Sequence, residues 1–237
     1  MVTIAIASLN TRVFTELAIR TALCRSGIEA RVLVGDSQST DGTLEMLARL
    51  GPRYVSRLEI PPAPRTHGEW LDHWIETLDD DLVVFTDSDV EFRRSGWLRQ
   101  MLDQQQREAA AIVTCEWVDE WPNFVEPVGK QPVRLSSRPA PWVQLVHRPT
   151  IQALGCSYKF CSEPTADVPE GVVTYDIGAV VAARATAAGH TVSVMPTEFR
   201  RYYHHYGGRS WSARGKRARL DGWVARARLA RFRALRW

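Results

Sequence analysis

Asp87 and Asp89 are two carboxylates one residue apart, and they follow directly on the apolar run Leu82-Val83-Val84-Phe85. Side chains two apart on an extended chain point the same way, so both can face one site. Two hard anionic oxygen donors suit a hard divalent cation, Mg²⁺ or Mn²⁺, which shares its shell with waters and phosphates. The plainer reading is a polar turn that ends a strand. A short apolar run bounded by polar residues reads as a buried strand of a parallel sheet. In an open α/β sheet, ligands bind just past the carboxyl ends of the strands, where both aspartates would sit.

The elements that would position this pair begin at the first residue. Val2–Ala7 reads as a strand, and Ser8-Leu9-Asn10-Thr11 as the loop after it. Asn10 or Thr11 can cap a helix with Val13, Phe14, Leu17, Ala18 and Ala22 on one face and Gly27 at its end. Arg31–Gly35 is a second strand. Asp36 then opens an eight-residue polar loop on the same sheet edge as Asp87, with Asp41 as cap for a helix over Leu44–Leu50. Tyr54–Ile60 reads as a third strand, stopped by Pro61, Pro62 and Pro64. Arg65-Thr66-His67-Gly68 leads into a helix burying Leu71, Trp74, Ile75 and Leu78. Asp79-Asp80-Asp81 is a solvated turn at the opposite edge of the sheet. Trp97–Met101 starts a further helix, and Ala111–Trp117 a further strand. This alternation predicts a mostly parallel, doubly wound sheet with right-handed crossovers.

Residues 119–165 lose the rhythm. Prolines stand at 122, 127, 132, 139, 141, 149 and 164, with Trp121, Phe124 and Trp142 among them. The segment reads as substrate-shaping loops and short strands. Val172–Tyr175 then runs into Asp176, followed by a helix over Ile177–Ala188 closed by Gly189 and a strand over Thr191–Met195. Asp176 directly precedes the helix, so an N-cap is its plain role. Tyr202–Gly208 is a loop dense in aromatics and imidazoles, including His204 and His205.

The composition bounds the rest. A chain of 237 residues, 45% hydrophobic, can build one α/β domain with an appended piece. We expect a single domain over residues 1–210, in halves 1–117 and 118–210, and a basic C-terminal helix over 211–237. Residues 200–237 hold 12 Lys and Arg against one acid, a net of +11; the remainder is −8. From Leu220 onward, helical periodicity puts Leu220, Trp223, Val224, Ala227, Ala230, Ala234 and Leu235 on one face. Arg226, Arg233 and Arg236 lie mostly opposite, and Arg231 interrupts the apolar side. Such a helix can lie on an anionic membrane as a peripheral contact through residues 214–237. It can equally pack on its own domain, which the alanines favour. Nucleic acid is not expected as a partner, because no recognition motif accompanies the basic tail. There is no leader-like segment and no apolar run of membrane-spanning length, so the expected location is cytoplasmic, at most peripheral at the inner membrane face. Cys24, Cys115, Cys156 and Cys161 then read as thiols. Cys156 and Cys161 make half of a zinc site at best.

Four pieces in order, VTIAIASLN, VGDSQSTDGT, RTHG and VVFTDSD, resemble the nucleotide-sugar domain of family 2 glycosyltransferases, which has the GT-A fold. The resemblance covers residues 1–105 well, and beyond them rests on Asp176 with its helix and on the His204/His205 loop. It implies a mixed, mostly parallel sheet flanked by helices. It implies that Asp36 binds the donor base, usually uracil, and that Ser8, Asn10 and Thr11 line the nucleotide pocket. It places Arg65 near the diphosphate, Asp87 and Ser88 on the donor, and Asp89 on a divalent metal, with His204 or His205 completing the set. Asp176 matches the catalytic base of inverting members. Ser37, Gln38, His67 and Tyr175 depart from the residues usual in the family.

The chemistry so implied is metal-dependent transfer of a sugar from a nucleotide sugar, a UDP-sugar first, to an acceptor hydroxyl. A divalent ion with Arg65 and a histidine would stabilise the leaving diphosphate, and a carboxylate would take the acceptor proton. The alternatives are a retaining transferase of the same fold, or a catalytically silent nucleotide-sugar-binding protein docked on a membrane. A nucleotidyltransferase would need a Gly-rich basic loop where Ser8-Leu9-Asn10-Thr11 stands. The acceptor is left open by the sequence.

Overall fold

The computed structural model describes residues 1–125, 132–164, 172–207 and 216–234, with side chains described outside 122–133, 161–174 and 216–218. Its first half alternates as the apolar runs demand: β1 (Val2–Ser8), α1 (Arg12–Cys24), β2 (Ala30–Asp36), α2 (Thr43–Leu50), β3 (Arg57–Glu59), α3 (His67–Thr77), β4 (Leu82–Asp87). A short strand β5 (Val90–Phe92), helix α4 (Trp97–Glu108) and strand β6 (Ile112–Thr114) follow. The proline-rich stretch supplies β7 (Trp117–Val118), β8 (Trp121–Val125), β9 (Pro132–Leu135), β10 (Arg138–Pro139), β11 (Val143–His147) and α5 (Arg148–Ala153). The chain closes with β12 (Cys161–Pro164), β13 (Val172–Tyr175), α6 (Ala179–Ala187), β14 (Val192–Val194), a 3₁₀ turn at Thr197–Tyr202, β15 (Tyr203–His205) and α7 (Lys216–Ala234).

The central sheet has seven strands in the order β14-β6-β11-β4-β1-β2-β3. All run parallel except β11, which pairs antiparallel with both β4 and β6. Residue alternation sorts the sheet into two buried faces. Ile4, Ile6, Val32, Val34 and Val84 pack with α1, α2 and α4 on one side. Ala5, Leu33, Val83 and Phe85 pack with Trp70 and Trp74 of α3, and with α5 and α6, on the other. Period 2 within each strand thus yields helices on both faces.

Several expectations are corrected. β11 is a core strand inside the segment read as loops and short strands. The third strand shortens from Tyr54–Ile60 to Arg57–Glu59, because residues 52–54 turn after Gly51, which sits at φ +60°. The helix after Asp176 starts two residues late, because Gly178 takes φ +80°. The histidine loop is a strand, β15, paired with β5. Asp80 is no solvated residue: its Oδ2 accepts from Thr3 Oγ1 at 2.7 Å and from Arg31 Nη2 at 2.6 Å. The helix α7 packs on α1 through Ala225 and Leu229, with Val224 of the expected face beside them and Phe232 buried under Arg25, while Leu220 and Trp223 of that face point to solvent. Leu235, Arg236, the junction at residues 210–211 and the side chains of Phe124 and Cys161 lie outside the described residues.

Candidate functional site

The register of β1, β2 and β4 sets the site. Ser8 lies beside Asp36 and Ala7 beside Asp87, so three strand ends deliver their polar residues to one edge. Asp36 is fully buried, and its two oxygens accept from the Ser39 amide at 2.7 Å and the Ser39 hydroxyl at 2.8 Å. Gly35 before it leaves room for Trp70, whose ring would stand 2.6 Å from any Cβ there.

The loop after β1 is stitched to the loop after β2. The Asn10 amide donates to Ser39 Oγ, and Asn10 Oδ1 accepts from the Thr40 amide, both at 2.8 Å. Thr11 is the N-cap residue of α1 but caps nothing with its side chain. Its hydroxyl is turned to Thr15 and to Ser88 Oγ, each 2.9 Å away, and Ser8 Oγ lies 3.1 Å from Thr15 Oγ1. Asp41 takes over the cap, accepting from the Arg12 amide with one oxygen and from the Thr43 amide with the other. Ser37 and Gln38, the departures from the family pattern, are both engaged. Ser37 Oγ donates to the Arg65 carbonyl and accepts from Trp70 Nε1. Gln38, at φ +63°, donates to the carbonyls of Pro61 and Pro62. That left-handed backbone is one that glycine adopts freely and glutamine only at a cost.

Asp87, Asp89 and His205 form a cluster whose ligand atoms all lie within 4.8 Å of one another. His205 Nε2 is 3.2 Å from Asp89 Oδ1 and 3.6 Å from Asp87 Oδ2, and His67 Nε2 approaches Asp87 Oδ1 at 3.4 Å. The imidazole stacks on Trp142, centroids 4.7 Å apart. Asp87 Oδ1 and His205 Nε2 are buried atoms that make no hydrogen bond. The 3.2 Å approach of His205 Nε2 to Asp89 Oδ1 is a close contact between groups of opposite charge type. Asp87 still shows 23% of its side-chain surface, so its exposure comes from the rest of the carboxymethyl group.

Burial lifts the Asp87 carboxyl, and the charge of Asp89 lifts it further, against the pull of His67, His205 and Arg138. Burial would lower the His205 imidazolium, but Asp89 and then Asp87 outweigh it and raise it. His204 faces the other way, against the Tyr206 ring at 4.6 Å, and burial and then Arg93 lower it. The alternation of side chains along β15 decides between the two histidines: His205 joins the aspartates and His204 does not.

Arg65 is half-buried, with its guanidinium 4.8 Å above the Trp70 ring. Asp176 emerges from β13 and meets Arg138 of β10. Arg138 donates to Asp176 Oδ2 from Nε at 2.9 Å and from Nη2, and the Ile177 amide donates to Oδ1 at 2.7 Å. Arg138 also acts on Asp87 through its charge, which links the two groups of carboxylates. The sequence reading missed three neighbours of the site: His67 as a partner of Asp87, Arg138 and Trp142. His67 was findable, since Thr66 and Glu69 form a capping box that puts it at the first position of α3. Nothing local marks Arg138.

Two carboxylates and an imidazole, with a buried oxygen and a buried nitrogen that make no hydrogen bond, fit a divalent ion of the Mn²⁺ or Mg²⁺ type. The family model for glycosyl transferase family 2 matches residues 3–148, well over half of the chain. The chain belongs to glycosyl transferase family 2. No curated protein matches it. Among solved structures, this family 2 chain is similar to the mannosyltransferase PcManGT from Pyrobaculum calidifontis, solved with GDP-Man and Mn²⁺. Identity is 19%, TM-score 0.57, covering 83% of this chain and 55% of that one. It is also similar to residues 1–349 of S. aureus TarS, solved with UDP-GlcNAc, at 14% identity and TM-score 0.57, covering 98% of this chain and 66% of that one. Against the longer TarS structure it covers 36% of that chain. This chain thus spans about half the length of PcManGT and about a third of the longer TarS structure. At these identities the likeness carries the GT-A fold. Among the described residues, no helix is long and apolar enough to cross a membrane.

Proposed function

We propose that this chain transfers a sugar from a nucleotide-sugar donor, first a UDP-sugar, to an acceptor hydroxyl, with a divalent metal and with inversion. The observation that carries the reading is the Asp87–Asp89–His205 cluster at the carboxyl end of β4, beside Asp36, in a family 2 chain. Asp36 and the Ser8–Thr11 loop wall the nucleotide, Ser88 and Asp87 face its ribose, and Arg65 lies toward the diphosphate. Asp89, His205 and Asp87 would hold the metal. When bound, the metal neutralises charge growing on the leaving diphosphate. PcManGT, solved with GDP-Man and Mn²⁺, and TarS, solved with UDP-GlcNAc, support a nucleotide-sugar donor and leave its base open.

Asp176 is the general base in this reading. The acceptor oxygen bonds the anomeric carbon, the bond from that carbon to the diphosphate oxygen breaks with its electrons, and the acceptor proton passes to Asp176. Arg138 holds the carboxylate in one orientation until an acceptor arrives. Calorimetric titration of UDP, GDP and dTDP, each with Mn²⁺ and with EDTA, tests donor and metal together. Metal-dependent binding of one nucleotide supports the reading and names the base. Binding of none in either condition would overturn it.

A further inference from the structure

The helix α7 carries two faces of different chemistry. Its inner face is fastened to the domain. Ala225, Leu229 and Phe232 are buried, Leu229 and Ala225 in a cluster with Leu17 and Tyr206. Arg233 pairs with Glu16 of α1, and Arg228 Nη1 donates to buried Glu91 at 3.0 Å. Its outer face is the apolar stripe legible in the sequence, less Val224, which packs against the inner cluster. Leu220 is 59% exposed and Trp223 66%, and Ala227, Ala230 and Ala234 are exposed with them. At 3.6 residues per turn these five fall within an arc of about 80°, on the side of the helix away from Ala225, Leu229 and Phe232. Arg219, Arg226 and Arg231 flank the stripe, exposed and without an ion pair among the described residues.

A helix whose described ionic and apolar contacts to its own domain lie on one side gains nothing among the described residues from a Trp and a Leu on the other. We infer that the outer face of α7 docks on an anionic lipid surface, with Leu220 and Trp223 entering the boundary between headgroups and acyl chains and the flanking arginines on lipid phosphates. The pattern is that of an in-plane interfacial helix: a bulky apolar pair, small residues along the stripe, and cations at its rim. Charge complementarity selects the occupant. A second copy would set arginine rim against arginine rim, and a nucleic acid would meet the arginines while leaving Leu220 without a counterpart. The exposed tip residues touch neither the metal cluster nor Asp36, so this inference stands apart from the donor reading.

The test is co-sedimentation of the full chain with phosphatidylcholine vesicles, with and without phosphatidylserine. Capture by the phosphatidylserine vesicles alone is expected. The double variant Leu220→Ser/Trp223→Ser should lose it, and Arg219→Gln/Arg226→Gln/Arg231→Gln should weaken it roughly fivefold per cation removed. Both variants alter exposed side chains, and unchanged thermal unfolding confirms that the fold survives. No capture of the wild-type chain, or capture that neither variant reduces, would overturn the inference. So would concentration-dependent self-association in sedimentation velocity that the double variant abolishes, which assigns the stripe to a second copy.

Discussion

Arg138 grips Asp176 with two nitrogens while its third, Nη1, is buried and makes no hydrogen bond. The pair is largely shielded, at 12% and 19% side-chain exposure, so removing either partner strips the other of its ion pair. On the proposed assignment, Asp176→Asn lowers kcat by about 10²–10⁴-fold and leaves nucleotide binding near wild type. Arg138→Gln also lowers kcat, by misorienting the carboxylate, and in addition disturbs metal binding through Asp87. Steady-state kinetics beside calorimetry separates the two. Equal loss of nucleotide affinity in Asp176→Asn would place that residue in donor binding.

His205 and His204 differ only in which side of β15 they occupy. Neighbours of metal ligands already change affinity by about 10–100-fold when removed, so His205→Ala should weaken Mn²⁺ binding at least that much. His204→Ala, altering a ring packed on Tyr206, should leave it within about twofold. Manganese titration followed by electron paramagnetic resonance reads both. Reversed effects would mean that β15 is out of register.

Glu91 is a buried carboxylate that holds three elements. It accepts from Tyr206 Oη at 3.1 Å, next to His205, and from Arg228 of α7, and it lies two residues after Asp89. Glu91→Gln should cost about 1–3 kcal/mol of stability and loosen β15 against β5. A fall in Mn²⁺ affinity alongside the lower Tm is the expected result, and an unchanged affinity would show that β15 is held by its backbone pairing alone.

Glu16 ties α1 to α7. Burial pushes its carboxyl up, but hydrogen bonds and charge from Arg233 and Arg20 outweigh this and hold it below its ordinary value of 4.5. A depressed carboxyl stabilises the fold fully above its unfolded value and loses that contribution as pH falls through the folded one. Wild-type stability should therefore drop on acidification below about pH 4.5, and Glu16→Gln should start lower and drop less. Thermal unfolding across this range measures both slopes. Parallel slopes would assign acid sensitivity elsewhere.

Treating the chain with EDTA should abolish nucleotide binding while the fold persists, since the two apolar cores that hold sheet and helices together do not include Asp87, Asp89 or His205. Circular dichroism with calorimetry checks it, and loss of secondary structure on chelation would make the metal structural.

The first half was legible because its signals are local. Apolar runs of β1, β2 and β4 ending in Ser8, Asp36 and Asp87 fix strand, register and edge together. The second half was not, because its determinants are contacts between distant residues. Nothing near Val143 says that this run reverses direction and enters the core, and nothing near Arg138 announces Asp176. The helix α7 shows the same limit. Its better apolar stripe is the exposed one, and its packed face, Ala225 with Leu229 and Phe232, earns burial by matching α1 and by two arginines that find Glu16 and Glu91.

The reversed strand β11 has a consequence for how the chain must be made. Its partner β4 receives its second neighbour from a segment 56 residues downstream: Trp142 supplies the carbonyl bound by Thr86 Oγ1 and by the Asp87 amide. Until that segment emerges from the ribosome, β4 presents an unpaired apolar edge, and β6 has no strand between it and the rest of the sheet. A fragment ending near residue 117 would therefore be sticky, and the aspartates at the tip of β4 would be fixed late in synthesis. The cluster at this edge is begun early in the chain and locked by what comes after it.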